Sequence, residues 1–115
     1  MDVAKSDTYD AFVSTIKDKL ASDLGTDHLQ ALVNNAGIGI HAAFETTTEE
    51  QFDTMVNIHL KAAFFLTQKL LPILNDGGSI DNISSGLARF SFPKYAAYAI
   101  MKAGIESLTR YQALE

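Results

Sequence analysis

The alternation of helical patterns with two short strand-like segments constrains this chain most. Residues 8–24 carry Tyr9, Phe12, Val13, Ile16 and Leu20 at helical spacing, and Gly25 stops the pattern. The apolar run Leu29 to Val33 is too short for a helix and suits a buried strand. It ends in Asn34-Asn35-Ala36-Gly37, and a loop, Ile38 to Thr46, follows. Thr47 with Glu50 reads as a capping box opening a long helix. Phe52, Met55, Val56, His59, Ala63, Phe64, Thr67 and Leu71 form its inner stripe, Pro72 kinks or ends it, and Gly77-Gly78 closes the segment. Ser79 to Ser84 is the second strand, a loop runs to about Pro93, and a last helix runs from about Lys94 to the end. The order helix, strand, helix, strand, helix predicts an α/β protein with a parallel sheet and crossover helices. A sheet this narrow has two open edges.

The 115 residues suffice for one small domain. With 47% hydrophobic and 20% charged residues, the chain has the composition of an ordinary globular protein. The net charge of −5 and the lack of basic runs exclude a nucleic-acid footprint. The absence of cysteine removes disulfides and thiol chemistry and fits a reducing compartment. No apolar run approaches the roughly 20 residues that span a bilayer. The first residues hold no apolar signal core. A cytoplasmic location is expected, with no membrane contact. No His, Asp or Glu cluster has metal-ligand spacing, so no metal is expected.

The chemistry concentrates late in the chain. Tyr98 and Lys102 stand four residues apart in a helical stretch, which puts phenol and ammonium on one face. A cation beside a phenol favours the phenolate, which suits proton transfer. Thirteen residues before the tyrosine stands Ser85, at the end of Asn82-Ile83-Ser84-Ser85. Period-two alternation sets Ser84 and Ser85 on opposite faces.

These pieces, in this order, resemble the middle of a short-chain dehydrogenase/reductase: Asp2-Val3, Asn34-Asn35-Ala36-Gly37, Asn57 in the long helix, Asn82-Ile83-Ser84-Ser85, and Tyr98 with Lys102. The resemblance covers essentially the whole chain. It implies a single partial, Rossmann-like NAD(P)-binding domain over residues 1–115 that carries the catalytic segment, with an incomplete sheet. By the same resemblance Tyr98 is the general acid or base. Lys102 stabilises its phenolate and hydrogen-bonds the nicotinamide ribose. Ser85 rather than Ser84 holds the substrate carbonyl, because the 13-residue spacing selects it. Asn57 sits at a helix distortion, where its backbone carbonyl holds a water that relays protons to Lys102. Asn35 braces the sheet, Ala36 and Gly37 face the cofactor, and Asp2 and Val3 touch the adenine. His41 and Phe44 fall in a loop that either borders the substrate or is simply exposed. The cofactor is NAD or NADP, and the substrate is a small-molecule carbonyl or alcohol. The helices at about 48–74 and 94–115 form the surface for homo-oligomers.

The chain also departs from the family. No Gly-x-x-x-Gly-x-Gly turn occurs, the first glycine being Gly25. The residue that selects NAD or NADP and the segment that covers the substrate are missing as well. Asp81 stands where an apolar strand residue is usual, and a buried unpaired carboxylate is costly. Met101 replaces a small polar residue, which changes packing or the entrance to the site rather than the chemistry. Two functions follow as expectations. One is an NAD(P)-dependent oxidoreductase moving hydride between nicotinamide and a carbonyl carbon. The other is an inactive truncated segment or degenerate module acting only through self-association. The isolated chain is expected to bind nicotinamide cofactor poorly and to self-associate.

Overall fold

The computed structural model describes residues 1–115. A short 3₁₀ turn, Ser6–Thr8, leads into α1 (Tyr9–Lys19), whose last turn relaxes into a π-helical stretch, Leu20–Leu24. Gly25 ends it in the left-handed region at φ 61°. Strand β1 (Leu29–Asn34) follows. The long helix consists of α2 (Glu49–Met55), a π-helical turn (Val56–Lys61) and α3 (Ala62–Leu70). Pro72 lies in a 3₁₀ turn, Leu71–Ile73, that delivers the chain into β2 (Leu74–Asn82). The last helix is α4 (Ala96–Leu114). Strands β1 and β2 pair in parallel, so the α/β reading with a crossover helix holds.

Four details differ from the sequence reading. The capping box is Thr48 with Gln51, not Thr47 with Glu50. Both pairs fit the pattern one residue apart, and the Thr47 hydroxyl is engaged elsewhere, donating to the Ala43 carbonyl at 2.8 Å. The second strand begins at Leu74 rather than Ser79 and ends at Asn82 rather than Ser84. Register jumps from Leu29 opposite Leu74 to Ala31 opposite Ser79, so the Asn75–Gly78 stretch bulges out. Gly77 takes φ 79° there, and a Cβ on Gly78 would meet the Gln30 carbonyl at 2.8 Å. The inner stripe of the long helix also changes course. Met55, His59, Ala63 and Thr67 are buried, but Phe52, Phe64 and Leu71 are exposed while Ala62, Leu66 and Leu70 are buried. A π turn spends an extra residue, so the face rotates beyond it. Finally, α4 begins at Ala96 because Lys94 sits at φ 66°, outside the helical region.

All helices lie against one face of the sheet. The main core joins Tyr9, Val13 and Leu20 to Ala62, Leu66, Leu70 and Ile73, with Leu29 and Leu32 of β1 packed on it. Each fully buried side chain of Leu size contributes about 1.5–3 kcal/mol. A smaller cluster, Met55, Ala97 and Met101, locks α4 onto α2. Met101 is thus a packing residue, as expected from its position. Asn34 and Asn82 form a rung of the ladder and are hydrogen-bonded at 2.9 Å. Asn34 also donates to Thr67 of α3, and Asn82 donates to Thr109 and Gln112 of α4. The alternate residues Ala31, Val33, Ser79 and Asp81 point to the other, bare face, where Val33 is 54% exposed. Asp81 is therefore exposed in this chain. The accessible surface of 7411 Å² exceeds the roughly 6,200 Å² expected of a compact protein of this mass.

Candidate active site

Helix α4 carries the site. Burial of Ala97 and Met101 against Met55 fixes its rotation, and Tyr98 and Lys102 emerge one turn apart beside that contact. Lys102 is only 5% exposed. Its ammonium donates to the Ile83 carbonyl at 2.7 Å and lies 5.8 Å from the centre of the Tyr98 ring. Burial holds the Lys102 pKa below its usual value. Ile83 is itself anchored, its N–H donating to the Asn34 carbonyl at 3.2 Å. The end of the sheet thus sets the height of the lysine. The Tyr98 hydroxyl has no hydrogen-bond partner within the protein and is not buried.

The two serines diverge, as the alternation predicts. Ser84 donates to Glu106 at 3.0 Å, along the flank of α4. The Ser85 hydroxyl accepts from the Leu87 N–H at 3.2 Å and caps a 3₁₀ turn, Gly86–Ala88. No hydrogen bond joins Ser85 to Tyr98. Asn57 lies in the π-helical turn, and its carbonyl accepts from the N–H of Ala62, five residues on. The expected helix distortion is present at Asn57. Bracing of the sheet falls to Asn34 rather than Asn35, because Asn34 faces the helices and Asn35 is exposed with no side-chain hydrogen bond.

Val3, Asn35, Ala36, His59 and Lys102 line one cavity of about 220 Å³, which extends from the carboxyl end of β1 to Phe12, Leu66 and Leu70 of the apolar core. Ligands of open α/β sheets bind outside the carboxyl ends of the strands. Asp2 lies outside this lining, its carboxylate accepting from the Ala4 N–H at 3.0 Å. The Val3 carbonyl accepts from the Tyr9 hydroxyl. Gly37 borders the site from the loop: a Cβ there would stand 3.7 Å from the Lys102 ammonium. Beyond Tyr98 runs an aromatic row, with Tyr95 at 6.2 Å and His41 a further 5.0 Å from Tyr95. The Ala42 N–H donates to the carbonyl of the strained Lys94 at 3.0 Å, which ties the two loops together. Phe44 points into solvent.

The sequence reading missed His59 as a site residue. It is 3% exposed and stands edge-on to Tyr98 with ring centres 5.6 Å apart. Its Nε2 lies 2.6 Å from the Ile38 carbonyl. Burial lowers its pKa most, the Ile38 hydrogen bond opposes this, and the Lys102 charge lowers it further. The available signal was an imidazole on the inner stripe, where an apolar residue is expected.

A family model described as enoyl-(acyl carrier protein) reductase matches residues 1–115. A short-chain dehydrogenase from Streptomyces avermitilis is 35% identical and superposes at a TM-score of 0.83 over 98% of this chain and 40% of its own. The chain belongs to the short-chain dehydrogenase/reductase family. Among curated members, a 3-oxoacyl-[acyl-carrier-protein] reductase of Thermotoga maritima is 34% identical over 105 residues, 90% of this chain and 42% of the relative. A hydroxynaphthalene reductase-like protein of Metarhizium brunneum is 38% identical over 89 residues, 76% of this chain and 33% of the relative. The angucycline C-6 ketoreductase LanV with bound NADP is 35% identical at a TM-score of 0.87, over 92% of this chain and 41% of its own. The chain therefore spans about two fifths or less of the curated relatives it matches. No helix is long and apolar enough to cross a membrane.

Proposed function

We propose that this segment carries the proton-transfer half of an NAD(P)-dependent carbonyl reductase. The observation that carries the reading is the Lys102 ammonium, buried, seated on the Ile83 carbonyl and facing the Tyr98 ring. A buried, oriented lysine beside an unpaired phenol is an arrangement suited to stabilising a phenolate.

The fit to the cofactor divides in two. The nicotinamide-ribose end suits Lys102 and the small residue Ala36, which line the same cavity. Nothing among these residues forms a glycine-rich turn for the pyrophosphate. Bound nicotinamide supplies the hydride to the carbonyl carbon. Ser85 donates a hydrogen bond to the carbonyl oxygen, Tyr98 gives its phenolic proton to that oxygen, and Lys102 stabilises the phenolate left behind. Asn57 contributes the distorted turn beside the site. The aromatic row from Tyr98 to His41, with Phe44 at its rim, forms the wall against which the substrate packs. NADP is the favoured cofactor, because LanV and a Burkholderia cenocepacia relative both carry it in their structures.

Association is the second reading, and surface composition favours it. Phe64, Phe65, Leu71, Tyr111 and Leu114 are exposed on or beside α3 and α4, and the outer sheet face is bare. We assign α3 and α4 to a homo-oligomer interface. Sedimentation velocity tests it: a concentration-dependent dimer supports the assignment, and a sharp monomer removes it. Titration of the isolated chain with NADPH, followed by cofactor fluorescence, tests the divided fit. Weak or no binding is expected; micromolar binding would overturn it.

A further inference from the structure

The loop that joins β2 to α4 borders a second cavity, of about 330 Å³, whose lining includes none of Ser85, Tyr98 and Lys102. Its walls are largely aromatic. Phe92 and Tyr95 stand with tilted rings 5.9 Å apart at their centres, and Phe44 reaches the same cavity from the loop after β1. The Tyr95 ring is also 6.2 Å from the Tyr98 ring, so this cavity adjoins the phenol. Arg89 and Lys94 are the charged residues that line it, and both are cations. The chain as a whole has 14 acidic residues against 9 lysines and arginines, so a cavity lined by cations alone runs against its overall charge. Lys94 has no carboxylate partner. Glu106 approaches Arg89 only to 3.9 Å, beyond hydrogen-bond range, so the guanidinium keeps its donors free.

Lys94 sets this cavity apart from a merely solvated basic surface. It is the one non-glycine residue at positive φ, 66°. There the Cβ of an L-residue crowds the backbone, a cost that glycine avoids. Lys94 also follows Pro93 in a turn, where glycine or asparagine is the usual occupant of a place with positive φ. The Ala42 N–H donates to the Lys94 carbonyl at 3.0 Å, a bond that glycine would make equally well. What lysine adds at this strained place is a cation beside the cavity, and strained residues cluster at ligand clamps. We propose that the cavity binds a carboxylate carried on a flat apolar body, with Arg89 and Lys94 holding the anion and Phe92 and Tyr95 packing on the ring. A guanidinium meets a carboxylate through paired N–H donors, and an ammonium adds a point charge. Aromatic walls suit a flat ring. The proposal deepens the reading of Tyr98 as proton donor and rests on it for one step: the substrate is then an aromatic keto acid whose carboxylate lies away from the carbonyl that is reduced.

Naphthoate and its neutral analogue naphthamide, titrated into the full chain, test the proposal through the NMR amide shifts of Phe92, Tyr95 and Ala99. Naphthoate is expected to bind about tenfold or more tightly than naphthamide, with the advantage shrinking at about 0.5 M salt as the charges are screened. Lys94→Gly is expected to lose most of that advantage while its Tm holds or rises, because the strain leaves with the side chain. Lys94→Arg is expected to keep the advantage. Equal affinity for the two probes, shifts confined to other parts of the chain, or a full preference for naphthoate in Lys94→Gly would overturn the proposal. A lysine that is only a solvated surface charge predicts the last of these. Binding is read without turnover, so a chain with the expected preference whose full-length hybrid reduces no carbonyl counts against the oxidoreductase reading alone.

Discussion

Gly37 and Gly39, two residues apart in one loop, are predicted to respond to alanine in opposite ways. A Cβ on Gly37 would stand 2.7 Å from Cε1 of His59 and 3.2 Å from Nδ1. Carbon atoms pack at about 3.5–4.0 Å, so the ring must retreat by roughly 0.8 Å or more. It has nowhere to go: it is buried, bonded to Ile38 on one side and edge-on to Tyr98 on another. Overpacking of this kind costs about 1–3 kcal/mol. Losing the Ile38 bond adds about 1 kcal/mol. The reduced freedom of the unfolded chain returns about 0.4–1 kcal/mol. The net loss of about 1–4 kcal/mol lowers the Tm by roughly 4–16 °C for a chain of this size. At Gly39 the nearest atom to a Cβ is Cδ2 of Tyr98 at 3.9 Å, an ordinary contact. Neither glycine has positive φ, so backbone strain does not enter. Gly39→Ala is therefore expected to leave stability unchanged or raise it by up to about 1 kcal/mol. Thermal and urea unfolding followed by far-UV circular dichroism read both. Equal losses in the two variants, or none at Gly37→Ala, would refute the packing described around His59.

Thr48→Ala removes the capping-box hydroxyl and is expected to cost about 1 kcal/mol in urea unfolding. Thr47→Ala should cost less, since it loses only a bond to the Ala43 carbonyl. Asn82→Ala cuts the ties from the ladder to Asn34, Thr109 and Gln112. These bonds are partly solvated, so a loss of about 1–3 kcal/mol is expected, with faster amide exchange in α4 than elsewhere. The pH dependence follows from His59, whose folded pKa lies below the ordinary 6.5. The unfolded chain takes up the proton first, so this stabilisation is complete above 6.5 and is lost as pH falls below it. Unfolding free energies across that range should slope downward toward acid in wild type and lose part of the slope in His59→Asn; identical slopes would exclude the assignment.

Most of the fold was legible because its signals are local. Gly25, the apolar run at 29–33 and the i, i+4 stripe of α1 each report their own element. Errors arose where tertiary structure chose between equivalent local options. Thr47 and Thr48 both satisfy a capping box, and only the reach of Thr47 to Ala43 separates them. The π turn at Val56–Lys61 leaves no mark in a stripe counted at 3.6 residues, so Phe64 and Leu71 were assigned to the inner face. The start of β2 was hidden because Asn75–Gly78 reads as a turn and is in fact a bulge within the strand. Within the site, the four-residue spacing gave Tyr98 and Lys102 a common helix face, and their roles came from the family resemblance. The burial of Lys102 on Ile83 and the entry of His59 depend on how α4 packs against the long helix, which no single segment encodes. Asp81 carries the opposite lesson. Its cost was inferred for a buried strand position, whereas here its face is open.

Transfer of the proton by Tyr98 is the claim on which the rest depends. Residues 1–115, exchanged for the matching segment of the Thermotoga maritima reductase, would place this site in a chain of full length. Reduction of a 3-oxoacyl thioester by that hybrid can be followed by loss of NADPH absorbance, with Tyr98 and with Tyr98→Phe. The Tyr98→Phe hybrid is predicted to bind NADPH and keep its circular dichroism spectrum while losing activity by about 100-fold or more, the usual worth of a positioned general acid. A Tyr98→Phe hybrid that reduces the thioester at the rate of its Tyr98 parent would contradict the account.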